Sequence, residues 1–219
     1  MKKYLVIGDI HGQYDLLKSL IEKANLNNED EIISLGDVIN RGPKSRSCLE
    51  YLLSLNATIL MGNHEYNAIK YRKWLKEKLY SYIIDDKPEK YNEKLIKNLL
   101  LEKGPINFNR ERLLTHLSIN DDLINSFQKF PYYKKLNCEN KSYLLVHAGF
   151  DPFSKIEEQK PYIMAHIRFI DKQTNKLLKH KVDNIDAEHW TFFWHQPYNV
   201  IYGHFVHSLN KPFIKIFNI

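Results

Sequence analysis

The chain opens on a short apolar run, Tyr4-Leu5-Val6-Ile7, that stops at Gly8. A run of this length bounded by glycine predicts a buried strand over Lys3 to Gly8. The spacing then changes. From Asp15 to Ala24, Leu16, Leu17, Leu20 and Ile21 recur on one helical face. Glu31 to Leu35 predicts a second strand, again stopped by a glycine. Ser45 to Leu55 predicts a helix with Leu49, Leu52 and Leu53 facing inward, and Thr58 to Met61 a third strand ending at Gly62. Strand, helix, strand, helix, strand is the pattern of a parallel α/β sheet.

Beyond this point the period is helical. Residues 66–130 hold no convincing strand and predict helices over about 66–84, 90–103, 109–117 and 120–129, punctuated by Pro88, Gly104-Pro105 and Pro131. Strands resume at Tyr143 to His147 and Asn199 to Gly203, with a last short one at Lys211 to Phe217. There is no internal repeat and no low-complexity linker. The expectation is one domain over 1–219 with a helical insertion at about 66–130.

Composition adds exclusions. Apolar residues make up 43% of the 219 and aromatics 13%, enough for a core and too much for a disordered chain. The longest apolar runs, such as Tyr143 to Val146, are far too short to cross a bilayer. An Asp and a His follow the N-terminal lysines almost at once, which is no secretory pattern. Two isolated cysteines, Cys48 and Cys138, read as reduced thiols of a cytoplasmic protein. The net charge of +6 comes from 26 Lys and only six Arg, and residues 66–130 carry 13 basic against nine acidic side chains. Such a segment favours an anionic substrate or is a solvated lysine-rich face. Specific nucleic-acid binding is not expected from it.

The candidate chemistry sits where the strands end. Each of the first three closes on glycine and a polar cluster: Gly8-Asp9-Ile10-His11-Gly12, Gly36-Asp37-Val38-Ile39-Asn40-Arg41-Gly42 and Gly62-Asn63-His64-Glu65. Two later strands end at Val146-His147-Ala148-Gly149 and Gly203-His204. An Asp after a strand is often only a turn residue, and a single His only a satisfied polar group. Five such ends in one chain point to a shared ligand site, since open α/β sheets bind ligands at the carboxyl ends of their strands. Asp9 and His11 are two apart and point the same way from an extended exit. Asp37 has two oxygens to bridge two ions, Asn63 a carbonyl oxygen, and His147 and His204 imidazole nitrogens. This mixed oxygen and nitrogen set favours Mn, Fe, Zn, Co or Ni over Ca or Mg.

With these motifs in their order over residues 8–204, the sequence resembles the calcineurin-like metallophosphoesterases, in the branch that holds phosphoprotein phosphatases and symmetrical dinucleoside tetraphosphatases. The resemblance implies an α/β fold, a four-layer-type metallophosphoesterase β-sandwich flanked by helices with a helical cap insertion. It implies two divalent metal ions, Mn²⁺ first, with Asp9, His11 and Asp37 at one and Asp37, Asn63, His147 and His204 at the other. His64 would be the general acid, and Arg41 and Arg168 would hold phosphoryl oxygens. His207, three positions after His204, is left outside the metal set. Trp190, Trp194 and Tyr198 are expected in the core, and Lys44 is a candidate phosphate contact.

Two departures from the family refine the expectation. Phosphoprotein phosphatases carry an Asp where this chain has Asn40, and a neutral amide supports a protonated His64 less well than a carboxylate. That suits a leaving group needing little protonation, such as a nucleoside diphosphate. The expected activity is therefore symmetrical dinucleoside tetraphosphate hydrolysis. Protein Ser/Thr or Tyr phosphatase activity is the alternative, and a non-catalytic metal-binding scaffold a third reading. Relatives also continue past the equivalent of Ile219 with a further strand, so an uncovered sheet edge is expected here.

Overall fold

The computed structural model describes residues 2–79, 93–101, 109–138 and 141–207. The chain divides into two compact units, Met1–Phe130 and Pro131–Ile219.

In the first unit, β1 (Tyr4–Ile7), α1 (Tyr14–Ala24), β2 (Glu31–Ser34), α2 (Ser45–Ser54) and β3 (Thr58–Ile59) follow the predicted alternation. The strands form one parallel sheet in the order β1-β2-β3. The register sets Ile7 beside Ser34 and Ser34 beside Ile59, so all three chains leave the sheet at the same edge. The helices α3 (Asn63–Leu79), α4 (Glu93–Leu101), α5 (Arg110–Ser118) and α6 (Asp121–Ser126) complete the unit. Asn109 and Asn120 cap the last two, their side chains accepting from the amides of Arg112 (2.8 Å) and Leu123 (3.0 Å). Leu75, Ile96, Leu99, Leu113 and Leu117 form a buried cluster among them.

Helix α1 corrects one expectation. Leu17 and Ile21 are buried, but Leu16 and Leu20 are 69% and 43% exposed. The inward stripe runs through Tyr14, Leu17, Ile21 and Ala24, a narrower band than four leucine-type residues suggest. On α2 the buried face is Ser45, Cys48, Leu49 and Leu52, with Leu53 at its margin. Helix α3 begins at Asn63 rather than 66, which puts Asn63, His64 and Glu65 in its first turn.

In the second unit, β4 (Tyr133–Cys138) pairs antiparallel with β5 (Lys141–Val146). The short helix α7 (Pro161–His166) follows, with proline at its start. Strands β6 (Phe169–Asp171), β7 (Leu177–Leu178) and β8 (Ala187–His189) make a small antiparallel sheet in the order β7-β6-β8. Strand β9 (Asn199–Tyr202) then lies parallel to β5. The core gathers Leu144, Val146, Phe150, Met164, Ile170, Trp190 and Trp194, with Tyr198 packed against it. Three of these strands hold only two or three residues and β4 carries Lys134 and Lys135 in succession, so none of them shows in the apolar pattern. The predicted strand Lys211 to Phe217, and the breakers Pro88 and Gly104-Pro105, lie outside the described residues.

His116 of α5 has no exposed surface and lies 4.9 Å from the Tyr71 ring. Burial first, then the charges of Arg72 and Arg112, push its imidazole down to about 3. The unfolded chain binds a proton there near pH 6.5, while the folded chain does not until far lower. Stability therefore falls as pH drops below about 6.5, with a slope approaching ~1.4 kcal/mol per pH unit. Urea unfolding at pH 7 and pH 5 should show His116→Leu losing about 2 kcal/mol less between the two than wild type does. Identical pH dependence in both proteins would contradict a buried neutral His116.

Candidate metal centre

The exits of β1, β2 and β3 are held together by backbone contacts before any side chain acts. The amides of Ile10 and His11 donate to the Asp37 carbonyl (3.1 and 2.8 Å), and that of Gly12 to Val38 (2.8 Å). Gly62 lies so close that a Cβ on it would stand 2.3 Å from the Asp37 nitrogen and 2.4 Å from its Oδ1. Non-glycine residues at positive φ among those described are four turn-type asparagines (Asn25, Asn56, Asn175, Asn184) and five residues at strand exits: His11, Asp37, Asn40, Arg41 and His204. Left-handed backbone at His, Asp and Arg costs energy that the surrounding contacts must offset, a pattern concentrated at functional sites.

The main restraint is Glu65, a residue without exposed surface. Its carboxylate accepts from the amides of Asp37 (2.8 Å), Val38 (2.9 Å) and Ile39 (3.1 Å). Asp37 answers by accepting from the His64 amide through Oδ1 (2.9 Å). The first turn of α3 and the β2 exit thus hold each other in place. Glu65 belongs to a motif visible in the sequence, but nothing local to it shows that its partners lie 26–28 positions away.

This frame assembles a donor cluster in the first unit. The Ile39 carbonyl lies 3.1 Å from His11 Nδ1. A carbonyl only accepts, so Nδ1 carries the proton and Nε2 presents its lone pair. That nitrogen lies 3.7 Å from an Asp9 oxygen and 3.8 Å from Asp37 Oδ2. His64 Nε2 is also 3.8 Å from Asp37 Oδ2, and ligand atoms of His11, Asp37 and His64 lie within 4.8 Å of one another. Two carboxylates around an imidazole whose far nitrogen is tied to a carbonyl is the arrangement of a metal-binding histidine. The oxygen and nitrogen donors fit a divalent transition cation.

Asn40, 2% exposed, lies with Nδ2 2.9 Å from His64 Nδ1. Asn63, half-buried, opens α3 beside His64. Arg41 is exposed on the same loop. Lys44, the candidate phosphate contact, is instead ion-paired with Asp15 at 2.8 Å on the surface.

The second unit assembles a second cluster. His147 ends β5 fully buried, and the amide of Gly203 donates to its carbonyl (2.9 Å). His147 Nε2 and His204 Nδ1 are 3.1 Å apart, close enough for one cation at ~2.0–2.1 Å from each nitrogen. The Nε of Arg168 donates to His204 Nε2 at 2.9 Å, so Nδ1 of that histidine carries the proton towards His147 Nε2 and would have to release it to take a cation. Behind them, the Trp190 indole donates to the Ala148 carbonyl (3.1 Å), and a Cβ on Gly149 would stand 2.3 Å from the Trp190 ring. The residues after His147 are therefore seated on Trp190, which the sequence marked only as core. His207 lies 2.7 Å from the Tyr202 hydroxyl and joins neither donor cluster.

Comparison with known proteins places this geometry. Among relatives, the chain is 27% identical over 186 residues to the symmetrical bis(5'-nucleosyl)-tetraphosphatase of Psychromonas ingrahamii, covering 83% of this chain and 57% of that protein. It is 30% identical over 159 residues to the protein of the same name from Buchnera aphidicola subsp. Baizongia pistaciae, covering 71% and 47%. It is 25% identical over 193 residues to serine/threonine-protein phosphatase 1 of Salmonella typhimurium, covering 88% and 77%. The chain spans about half the length of the two tetraphosphatases. A crystal structure described as a candidate diadenosine tetraphosphatase shares the fold, with a TM-score of 0.65 at 22% identity over 92% of this chain and 74% of that one. A family model described as calcineurin-like phosphoesterase matches residues 2–219, and with a match that runs through both units and not one motif alone, the chain belongs to the calcineurin-like phosphoesterases.

Proposed function

We propose that this protein is a metal-dependent hydrolase that cleaves symmetrical dinucleoside tetraphosphates into two nucleoside diphosphates. The family implies divalent metal ions. In this reading there are two, Mn²⁺ first, with Fe, Zn, Co or Ni as the other candidates. Asp9, His11 and Asp37 hold one, and Asp37, Asn63, His147 and His204 the other; the division of ligands rests on family membership. When bound, the cations supply Lewis acidity, lowering the pKa of water and neutralising phosphoryl charge. Glu65 keeps Asp37 in its strained conformation. Arg41 and Arg168 orient the phosphoryl oxygens through fixed guanidinium donors. His64 delivers a proton to the leaving oxygen. The two cysteines are free, in keeping with a reducing cytoplasm, and burial pushes the Cys48 thiol up to about 12. Among the described residues, no helix is long and apolar enough to cross a membrane.

The contact between Asn40 and His64 carries the choice of substrate. A neutral amide 2.9 Å from Nδ1 adds no charge to stabilise an imidazolium. A nucleoside diphosphate leaves with little protonation, whereas a serine alkoxide does not. The second reading, a phosphoprotein phosphatase, is favoured by the match to serine/threonine-protein phosphatase 1 of Salmonella typhimurium, which runs over 88% of this chain.

Asp37→Asn preserves shape but removes the charge shared between the proposed ions. With Mn²⁺ present, turnover should fall by at least ~10²-fold, the scale for losing one electrostatic stabiliser, and bound Mn²⁺ counted by elemental analysis should drop. Wild-type turnover and metal content in the variant would refute the assignment of Asp37.

Release of ADP from diadenosine tetraphosphate and of phosphate from a phosphoserine peptide, assayed side by side with Mn²⁺, decides between the two readings. Wild type should prefer the dinucleotide. Asn40→Asp sets a carboxylate beside His64 and raises its proton affinity. The ratio of kcat/KM should then move towards the peptide by about tenfold, equivalent to one pKa unit. A wild type that ignores the dinucleotide and hydrolyses the peptide would establish the phosphatase reading.

A further inference from the structure

The second unit contains a cavity of about 330 Å³ that the metal chemistry does not use. It lies between α7 and the segment through β7, and its walls are mainly apolar: Ile163, Ile167, Leu177, Leu178 and Val182. Tyr162 and His166 add flat surfaces, their rings stacked at 4.3 Å and 16°. This volume is at the low end for small-molecule pockets, which pair apolar walls with a few polar groups. The polar groups here are cationic or neutral. Lys179 and His180 line the cavity. Burial first, then the charges of Arg168 and Lys179, lowers the proton affinity of His180. Arg168 directly follows Ile167 in the wall, and its guanidinium donates to His204.

We propose that this cavity is a nucleobase subsite, taking the purine of a nucleotide whose phosphates extend towards Arg168. The inference rests on the hydrolase reading above and deepens it. An apolar cavity edged by the Tyr162 ring, which is 42% exposed and rests one face on His166, favours a flat aromatic ligand, because base-on-aromatic stacking is tolerant of base identity. Lys179 in the cavity wall, with Arg168 near enough to His180 to lower its proton affinity, favours a polyanion attached to that ring. One ligand with both features is a nucleoside polyphosphate. A phosphoserine peptide lacks the flat group, and inorganic phosphate lacks any group for the apolar walls. Tyr162 is 42% exposed, so its ring can be reached and can be altered without opening the core.

The test uses the whole protein with Tyr162→Ala and the conservative Tyr162→Phe. Saturation-transfer NMR on the H2 and H8 protons of ADP reads base contact without requiring turnover. Wild type and Tyr162→Phe should saturate these protons, and Tyr162→Ala should lose most of the signal. The kcat/KM for diadenosine tetraphosphate, taken relative to that for p-nitrophenyl phosphate, should fall about tenfold in Tyr162→Ala and recover in Tyr162→Phe. No adenine saturation in wild type, or equal saturation in all three proteins, would overturn the subsite. Adenine saturation that depends on the Tyr162 ring, in a protein that does not hydrolyse the dinucleotide, would support the subsite and reject the tetraphosphatase reading.

Discussion

The Glu65 carboxylate is the constraint on which the first donor cluster depends. It has no exposed surface and accepts from three consecutive amides of the β2 exit. A buried carboxylate without such partners would be costly, and hydrogen bonds to a charged group are worth about 1.5–3 kcal/mol each. The amides gain as much as the acid does, because they follow a strand end where no neighbouring chain can take them. Their alignment puts Asp37 in the left-handed region at φ 52°. In that conformation Asp37 Oδ1 accepts from the His64 amide while Oδ2 faces His11 and His64. One buried charge thus offsets the backbone strain and aims a second.

The same frame tunes the proton chemistry. Asn40 is at φ 67°, and its amide donates to the Ser45 hydroxyl at 3.0 Å. The anchored loop sets the Asn40 side chain against His64 at 2.9 Å. Because the loop is fixed at both Glu65 and Ser45, the residue type at position 40 changes the electrostatics at His64 with little change in geometry.

The second unit solves a parallel problem with packing in place of charge. His147 is a buried imidazole at a strand end, and the two residues after it lie against Trp190. The absence of a side chain on Gly149 lets the indole approach, and the indole in turn satisfies the Ala148 carbonyl. Arg168 then orients His204 by donating to one ring nitrogen, leaving the other facing His147. The Arg168 guanidinium thus fixes the His204 ring, while Ile167 before it lines the apolar cavity.

Much of this was legible in the sequence. The three strand–glycine exits, the helices between them and the polar clusters that follow the strands were readable, because strand runs, helical periods and residue chemistry are local properties. The helical character of the described residues between 66 and 130 followed for the same reason. Other features were decided only by the tertiary structure. Which leucines of α1 face inward depends on the width of the stripe its neighbours leave, so Leu16 and Leu20 stand exposed. The sheet of β6, β7 and β8 is made of strands too short to show a period, and it exists through cross-strand pairing. The bonds from Glu65 to the β2 exit and from Arg168 to His204 join residues 26–28 and 36 positions apart. Such partnerships leave no trace in local pattern, because the free energy that selects them comes from burial and from hydrogen bonds that exist only once the chain has folded.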